Sequence, residues 1–252
     1  EALADLIRPD TTLVSIMAVN NEIGSIQPIE AISKLLADKP TISFHVDAVQ
    51  ALAKIPTEKY LTERVDFATF SSHKFHGVRG VGFVYIKSGK KITPLLTGGG
   101  QERDYRSTTE NVAGIAATAK ALRLSMEKLD IFRTKTGQMK AVIRQALLDY
   151  PDIFVFSDEE DFAPHILTFG IKGVRGEVIV HAFEDYDIFI STTSACSSKA
   201  GKPAGTLIAM GVDKDKAQSA VRLSLDLEND MSQVEQFLTK LKLIYNQTRK
   251  VR

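Results

Sequence analysis

The sequence predicts an α/β fold: a mostly parallel sheet with helices on both faces, followed by a smaller α+β domain. Three observations predict it. In the first half, short apolar segments rich in β-formers alternate with segments of helical spacing. Residues 109–150 then turn helical with a break near Asp130, and after Pro151 the pattern changes to short strands with two helical stretches among them. Near-continuous apolar strands interleaved with helices belong in parallel sheets, whose crossovers lay helices on both faces.

Taken in order, EALADLIRPD carries Leu3, Leu6 and Ile7 on one face and is stopped by Pro9-Asp10, so it reads as the back end of a helix. With Glu rather than Met at position 1, the chain reads as a piece of something longer. Thr12–Val19 and Thr41–Gln50 are strand-like, and Pro28–Lys39 between them is helical with proline at its start. VDFATFSSH and VGFVYIK supply two further strands. The helical stretch from Thr109 to Tyr150 breaks near Asp130. Beyond it, IFVFS, HILTFGI, DIFIST and AVRLSLD read as strands, with helices at Glu177–Asp185 and Met231–Tyr245. The expected boundary falls between Lys128 and Ile131, giving domains of 1–129 and 130–252.

Composition bounds the function. The chain has 252 residues, is 44% apolar and carries a net charge of +1, so it can bury a large core and offers no electrostatic footprint for nucleic acid or a membrane surface. The basic end QTRKVR reads as a solvated helix terminus. No apolar run approaches the ~20 residues of a membrane span, and no signal peptide is visible. A single cysteine, Cys196, makes no internal disulfide and suits a reducing, cytoplasmic setting.

In parallel α/β sheets ligands bind at the carboxyl ends of strands, and the reactive residues gather there: Asn20-Asn21 after the first strand, Asp47 and Gln50 ending the second, His73-Lys74 ending the third. A lysine that acts as a nucleophile has to be neutral part of the time, which partial burial and nearby cations favour; His73, His76 and Arg79 are the cations on offer. Taken alone, SSHK reads more readily as a loop lysine that only solubilises its turn. Asp47 sits among Val46, Ala48 and Val49, where a carboxylate needs a cation, an N-cap role or a structural ion pair. A cofactor with a protonated ring nitrogen, such as pyridoxal phosphate, would supply that cation.

Three further stretches bear on the site. LLTGGGQERDYRSTTEN offers converging backbone N–H groups and the hydroxyls of Ser107, Thr108 and Thr109 just before a helix, a natural anion site or simply a flexible loop. Thr109-Glu110 reads as the cap of that helix. STTSACSSKAGKPAG surrounds Cys196 with small and polar residues, and Lys199 and Lys202 favour its thiolate. Arg222 lies in the apolar strand AVRLSLD and calls for a carboxylate, from a substrate or from the protein. A metal site built from His45, Asp47, His73 and His76 has suitable ligand types but lacks an HExxH pattern and a second cysteine.

Taken together, NNEIGSIQPI, HVDAVQ, FSSHKFHGVRGVGFVYI, GGGQERDYRSTTEN, TSACSS and VRLSL, in this order along nearly the whole chain, resemble the pyridoxal-phosphate cysteine desulfurases of the NifS/IscS type within the class V aminotransferases. The resemblance implies a fold-type I transferase and assigns roles by position. Lys74 is similar to the lysine that carries the cofactor covalently and moves the substrate Cα proton. Asp47 matches the partner of the ring nitrogen, and Gln50 and Asn21 the groups near its ring oxygen, with Asn21 also near the substrate. Ser71 and His73 match phosphate ligands, and Thr109 a phosphate ligand that reaches across a homodimer. Arg222 matches the clamp on the substrate carboxylate and Cys196 the nucleophile that takes sulfur from L-cysteine, leaving L-alanine and a persulfide. The long loop around Cys196 is similar to the NifS/IscS group rather than the SufS type. Expected partners are a sulfur-acceptor protein, either an iron–sulfur scaffold or a tRNA-thiolating sulfurtransferase.

Two departures stand out. Family members carry a further N-terminal portion with a phosphate-binding turn and a residue, usually His, that stacks on the cofactor, so this chain is expected to be a fragment with uncertain activity of its own. Asp226 also stands where a glycine is usual after the Arg-x-Ser-x run. A class V aminotransferase, a selenocysteine lyase and a non-catalytic interaction protein are the alternatives, and Cys196 in its small-residue loop argues against a plain aminotransferase.

Overall fold

In the computed structural model, which describes residues 2–157, 160–193 and 205–250 with side chains to 248, the alternation of the first third becomes a four-stranded sheet. Strands β1 (Leu13–Met17), β2 (Ser43–Asp47) and β3 (Phe67–Ser71) pair in parallel, and β4 (Gly82–Ile86) closes the row antiparallel to β3, in the order β1-β2-β3-β4. The even-numbered residues Val14, Phe44, Val46, Ala68 and Phe70 are buried, while the odd-numbered ones on the other face are half-buried or exposed. This is the period of two expected of a strand. Phe70 stacks on its register partner Phe83 with ring centroids 4.6 Å apart.

The chain divides into two compact units: residues 1–18 with 27–129, and residues 19–26 with 130–252. In the first, helix α1 (Ala2–Leu6) precedes β1 and helix α2 (Ile29–Leu35) separates β1 from β2. Pro28 sits at the N-cap of α2, Ile29, Ile32 and Leu36 are buried at helical spacing, and the outer face carries the Glu30–Lys34 pair at 2.7 Å. Helix α3 (Val112–Glu127) starts at Asn111, whose Oδ1 accepts the Gly114 N–H at 3.0 Å. The N-cap is therefore Asn111 and not the Thr109-Glu110 pair expected from sequence, because a side-chain amide at that position reaches the third helical N–H.

In the second unit, helix α4 (Leu129–Leu148) follows α3 across the break at Lys128. Strands β5 (Ile153–Val155), β6 (Ile166–Ile171), β7 (Ser191–Thr192) and β8 (Ala220–Ser224) form an antiparallel sheet in the order β5-β6-β8-β7. Helices α5 (Gly176–Glu184) and α8 (Met231–Lys250) pack with α4 around one apolar cluster. Phe183 of α5 and Phe237 of α8 stack at 4.9 Å, and Phe169 of β6 meets Phe237 edge-on at 6.2 Å. Two five-residue helices, α6 (Gly205–Ala209) and α7 (Lys214–Gln218), are too short to show a helical period in the sequence. Residues 19–26, which a boundary at 129/130 assigns to the first domain, group with the second unit. Ser157 and Thr168 donate to the carbonyls of Ile23 and Glu22 at 2.6 Å each, and Ala163 N–H to that of Gly24 at 2.7 Å.

One buried charge fixes the start of β2 and β3. The Asp66 carboxylate accepts the Phe44 N–H at 2.9 Å, Arg64 Nη1 at 2.8 Å and Lys90 Nζ at 3.2 Å. Burial raises its pKa, but these three donors outweigh burial and hold it below the ordinary carboxylate value. A carboxyl depressed on folding stabilises the native state above its unfolded pKa, and that stability fades as the pH falls through its folded value. Asp66→Ala leaves Arg64 among backbone carbonyls without its anion. It is expected to cost about 3–5 kcal/mol and to remove part of the acid sensitivity, both checked by urea unfolding at neutral and acidic pH.

Candidate functional site

In the first unit, Asp47 is the last residue of β2 and stands in register with Met17 of β1 and Thr69 of β3. The ladder runs one step further on each side: Ala18 N–H donates to the Asp47 carbonyl at 2.7 Å and Ala48 N–H to that of Thr69 at 3.1 Å. Val46 and Ala48 are fully buried, whereas Asp47 itself is half-buried on the opposite face. Its Oδ1 accepts the Val49 N–H at 3.0 Å, an Asx turn that opens the loop after β2; no helix starts there, so the N-cap weighed for Asp47 from sequence is not what the structure shows. Gln50, also half-buried, lies in the turn that follows.

The next strand delivers the amine. Ser71 ends β3, and Ser72–Phe75 form one 3-10 turn that holds His73, exposed, and Lys74, half-buried. Because β2 and β3 are parallel neighbours about 4.8 Å apart, the turn leaves from the same edge of the sheet as Asp47. The turn closes with His76 in the left-handed region at φ 65° and with Gly77, whose N–H donates to the Ser72 carbonyl at 3.0 Å. A Cβ at Gly77 would lie 1.9 Å from Ser72 Oγ, so the close return requires glycine.

Helix α3 braces this turn through residues the sequence did not single out. Thr118 Oγ1 donates at the buried Ser72 Oγ at 2.9 Å and lies 2.8 Å from the Gly114 carbonyl, and Ser125 Oγ donates to the Phe75 carbonyl at 3.1 Å. A buried threonine inside a helix is the only local signal, and it becomes meaningful only once α3 is known to pack on the 3-10 turn. Thr109, exposed, precedes the N-cap of α3 by two residues.

His45 lies on the Asp47 face of β2. Its Nδ1 is 2.7 Å from Ser15 Oγ of β1 and its Nε2 is 3.1 Å from Thr69 Oγ1 of β3. Burial lowers the imidazole pKa, with Asp47 pulling the other way. Both nitrogens thus face hydroxyls. Among the described residues no group of three or more His, Cys, Asp or Glu side chains is gathered for a metal ion.

In the second unit, residues 20–25 form a turn built on Asn20. Its Oδ1 accepts the N–H groups of Glu22 and Ile23 at 2.8 and 3.0 Å, and its Nδ2 donates to Thr206 Oγ1 at 3.3 Å. Gly24 takes φ 83°, and a Cβ there would lie 2.8 Å from Ile166 Cβ. Arg222, half-buried in β8 opposite Thr168 and Ser191, donates through Nη1 to the Asn21 carbonyl at 2.7 Å. The two residues expected at the substrate, Asn21 and Arg222, are therefore brought together within this unit. Asp226 fits its turn without the freedom of glycine: its N–H donates to Asn229 Oδ1 at 2.8 Å, its Oδ1 accepts the Leu227 N–H at 2.6 Å, and its φ is not left-handed. Cys196 lies outside the described residues.

Comparison with known proteins adds the relatives. The family model for aminotransferase class-V matches residues 1–237. A NifS/IcsS protein homolog of Lactobacillus delbrueckii subsp. bulgaricus is 50% identical over 252 residues, all of this chain and 66% of its own length. The cysteine desulfurase IscS of Clostridium botulinum is 36% identical over 254 residues, again all of this chain and 64% of its own length. A solved NifS-like protein superposes with a TM-score of 0.87 at 37% identity, covering 97% of this chain and 64% of that one. The chain thus spans about two thirds of the length of the curated relatives it matches.

Thr118→Val keeps the shape of the side chain and removes its hydroxyl, so Ser72 loses its helix partner. The expected loss is about 1–2 kcal/mol, read as a lower urea midpoint at unchanged slope; an unchanged midpoint would show that α3 does not hold the lysine turn.

Proposed function

This chain belongs to the class-V aminotransferase family, and from that membership we propose that it forms the catalytic part of a pyridoxal-phosphate-dependent cysteine desulfurase of the NifS/IscS type. One observation carries the reading. A carboxylate at the end of β2 and an amine just beyond the end of β3 leave the same edge of a parallel sheet. That donor set suits the cofactor: Asp47 for a protonated ring nitrogen, Lys74 for its aldehyde carbon, and the Ser71 and His73 side chains for its phosphate.

When bound, pyridoxal phosphate supplies an electron sink for the substrate's Cα carbanion. The protein's residues do the rest. Asp47 holds the proton on the ring nitrogen, and Gln50 and Asn21 orient the ring oxygen. Lys74 would hold the cofactor through its aldehyde carbon, and its amine would take the substrate's Cα proton. Arg222, already steadied by the Asn21 carbonyl, clamps the carboxylate of L-cysteine. The Cys196 thiolate would attack the substrate sulfur, the Cβ–S bond breaking with its electron pair staying on carbon; a proton delivered to Cβ and the return of the Cα proton from Lys74 would then complete L-alanine. The sulfane sulfur remains on Cys196 and passes to an acceptor, an iron–sulfur scaffold or a tRNA-thiolating sulfurtransferase. Thr109 would reach the phosphate of a second subunit in a homodimeric enzyme, and the lone cysteine of this chain suits a reducing, cytoplasmic setting. Support for this reading comes from the names and identities of the relatives, cysteine desulfurase among them.

The test uses the full-length protein. Lys74→Ala is expected to abolish the visible absorption of the bound cofactor. Cys196→Ser is expected to keep that absorption and to lose sulfide release from L-cysteine by at least about 100-fold. Undiminished sulfide release by the serine variant would sink the nucleophile assignment, and a colourless parent protein would sink the cofactor assignment.

A further inference from the structure

We propose that His45 is a positioning residue for Asp47: strung between Ser15 on β1 and Thr69 on β3, its imidazole fixes the strand end from which the Asp47 carboxylate meets the cofactor's ring nitrogen. The proposal rests on the cofactor reading above and adds to it a residue that the reading does not use.

His45 and Asp47 are two residues apart on one strand, so their side chains share a face, about 7 Å apart along β2. That face is not a packed core. Ser15 is exposed and His45, Asp47 and Thr69 are half-buried, so hydrogen bonds rather than close packing must hold the row in place. Both ring nitrogens have hydroxyl partners, at 2.7 Å from Ser15 and 3.1 Å from Thr69, and the partners lie on two different strands. Thr69 is also the residue in register with Asp47. The imidazole therefore spans three strands one step below the carboxylate, and its second bond ends on the residue directly opposite that carboxylate. With only two χ angles and both nitrogens engaged, turning the ring would break a hydrogen bond. Burial favours the uncharged ring, which leaves the Asp47 charge for the cofactor rather than for a neighbouring imidazolium.

The experiment uses the full-length protein loaded with pyridoxal phosphate labelled with 15N in the ring. It reads the ring-nitrogen chemical shift, which reports protonation, together with the cofactor dissociation constant. His45→Phe keeps the ring volume and removes both hydrogen bonds. It is expected to weaken cofactor binding about tenfold and to move the ring signal toward the unprotonated value. His45→Gln keeps one donor and one acceptor, and it is expected to stay near the parent in both readouts. Parent-like values in His45→Phe, or equal losses in the Phe and Gln variants, would overturn the proposal. Should His45→Phe fail to fold, Ser15→Ala and Thr69→Val remove the two partners singly. A shifted ring signal in either supports the proposal, and an unshifted signal in both overturns it. Asp47→Asn separates the two levels. If it moves the ring signal while His45→Phe does not, only the role of His45 falls; if it leaves the signal unmoved, or the parent takes up no cofactor, the cofactor reading falls and this proposal with it.

Discussion

The parallel pairing of β2 with β3 is the constraint on which the candidate site depends. Asp47 stands in register with Thr69, and five residues after Thr69 the chain has turned once and presents Lys74. Two parallel neighbours end at the same edge of a sheet, so a carboxylate ending one and an amine following the other leave from that one edge. Had the same segments paired antiparallel, as β3 and β4 do, the two groups would leave from opposite edges. No side-chain contact could then have repaired the separation.

Hydroxyl groups convert that topology into fixed geometry. Thr118 and Ser125 hold the 3-10 turn around Lys74 from the side of α3, and Ser15 and Thr69 hold His45 below Asp47. Each is a neutral hydrogen bond of modest net strength, yet each is directional. Direction matters here because the face that carries Asp47 is half-open, and apolar packing alone would leave its side chains several orientations. In the second unit Asn20 plays the equivalent part: it shapes the turn whose Asn21 carbonyl receives Arg222.

Much of this was legible in the sequence, for identifiable reasons. The segments around Ser43–Asp47, Phe67–Ser71 and Ile166–Ile171 are apolar and β-branched or aromatic, so strand was the reading their composition forced. Helices α3 and α4 are long enough to show their period, and the break between them at Lys128 was visible near Asp130. Helices α6 and α7, five residues each, were not legible because one turn carries no periodicity. The N-cap at Asn111 was missed for a different reason: Thr109 and Asn111 are both good caps, and only the course of the backbone chooses between them.

By itself the sequence determined which residue types stand at the strand ends, the α/β alternation, and the six ordered motifs that identify the family. These depend on local periodicity and on the identity of single residues, which a linear string records in full. Tertiary structure alone decided that Ser15, His45 and Thr69 form one row, that Thr118 reaches Ser72, and that residues 19–26 belong with the second unit. Those contacts join residues tens to more than a hundred positions apart. Their existence depends on strand register and helix docking, quantities set by the packing of the whole core and carried by no short stretch of the chain.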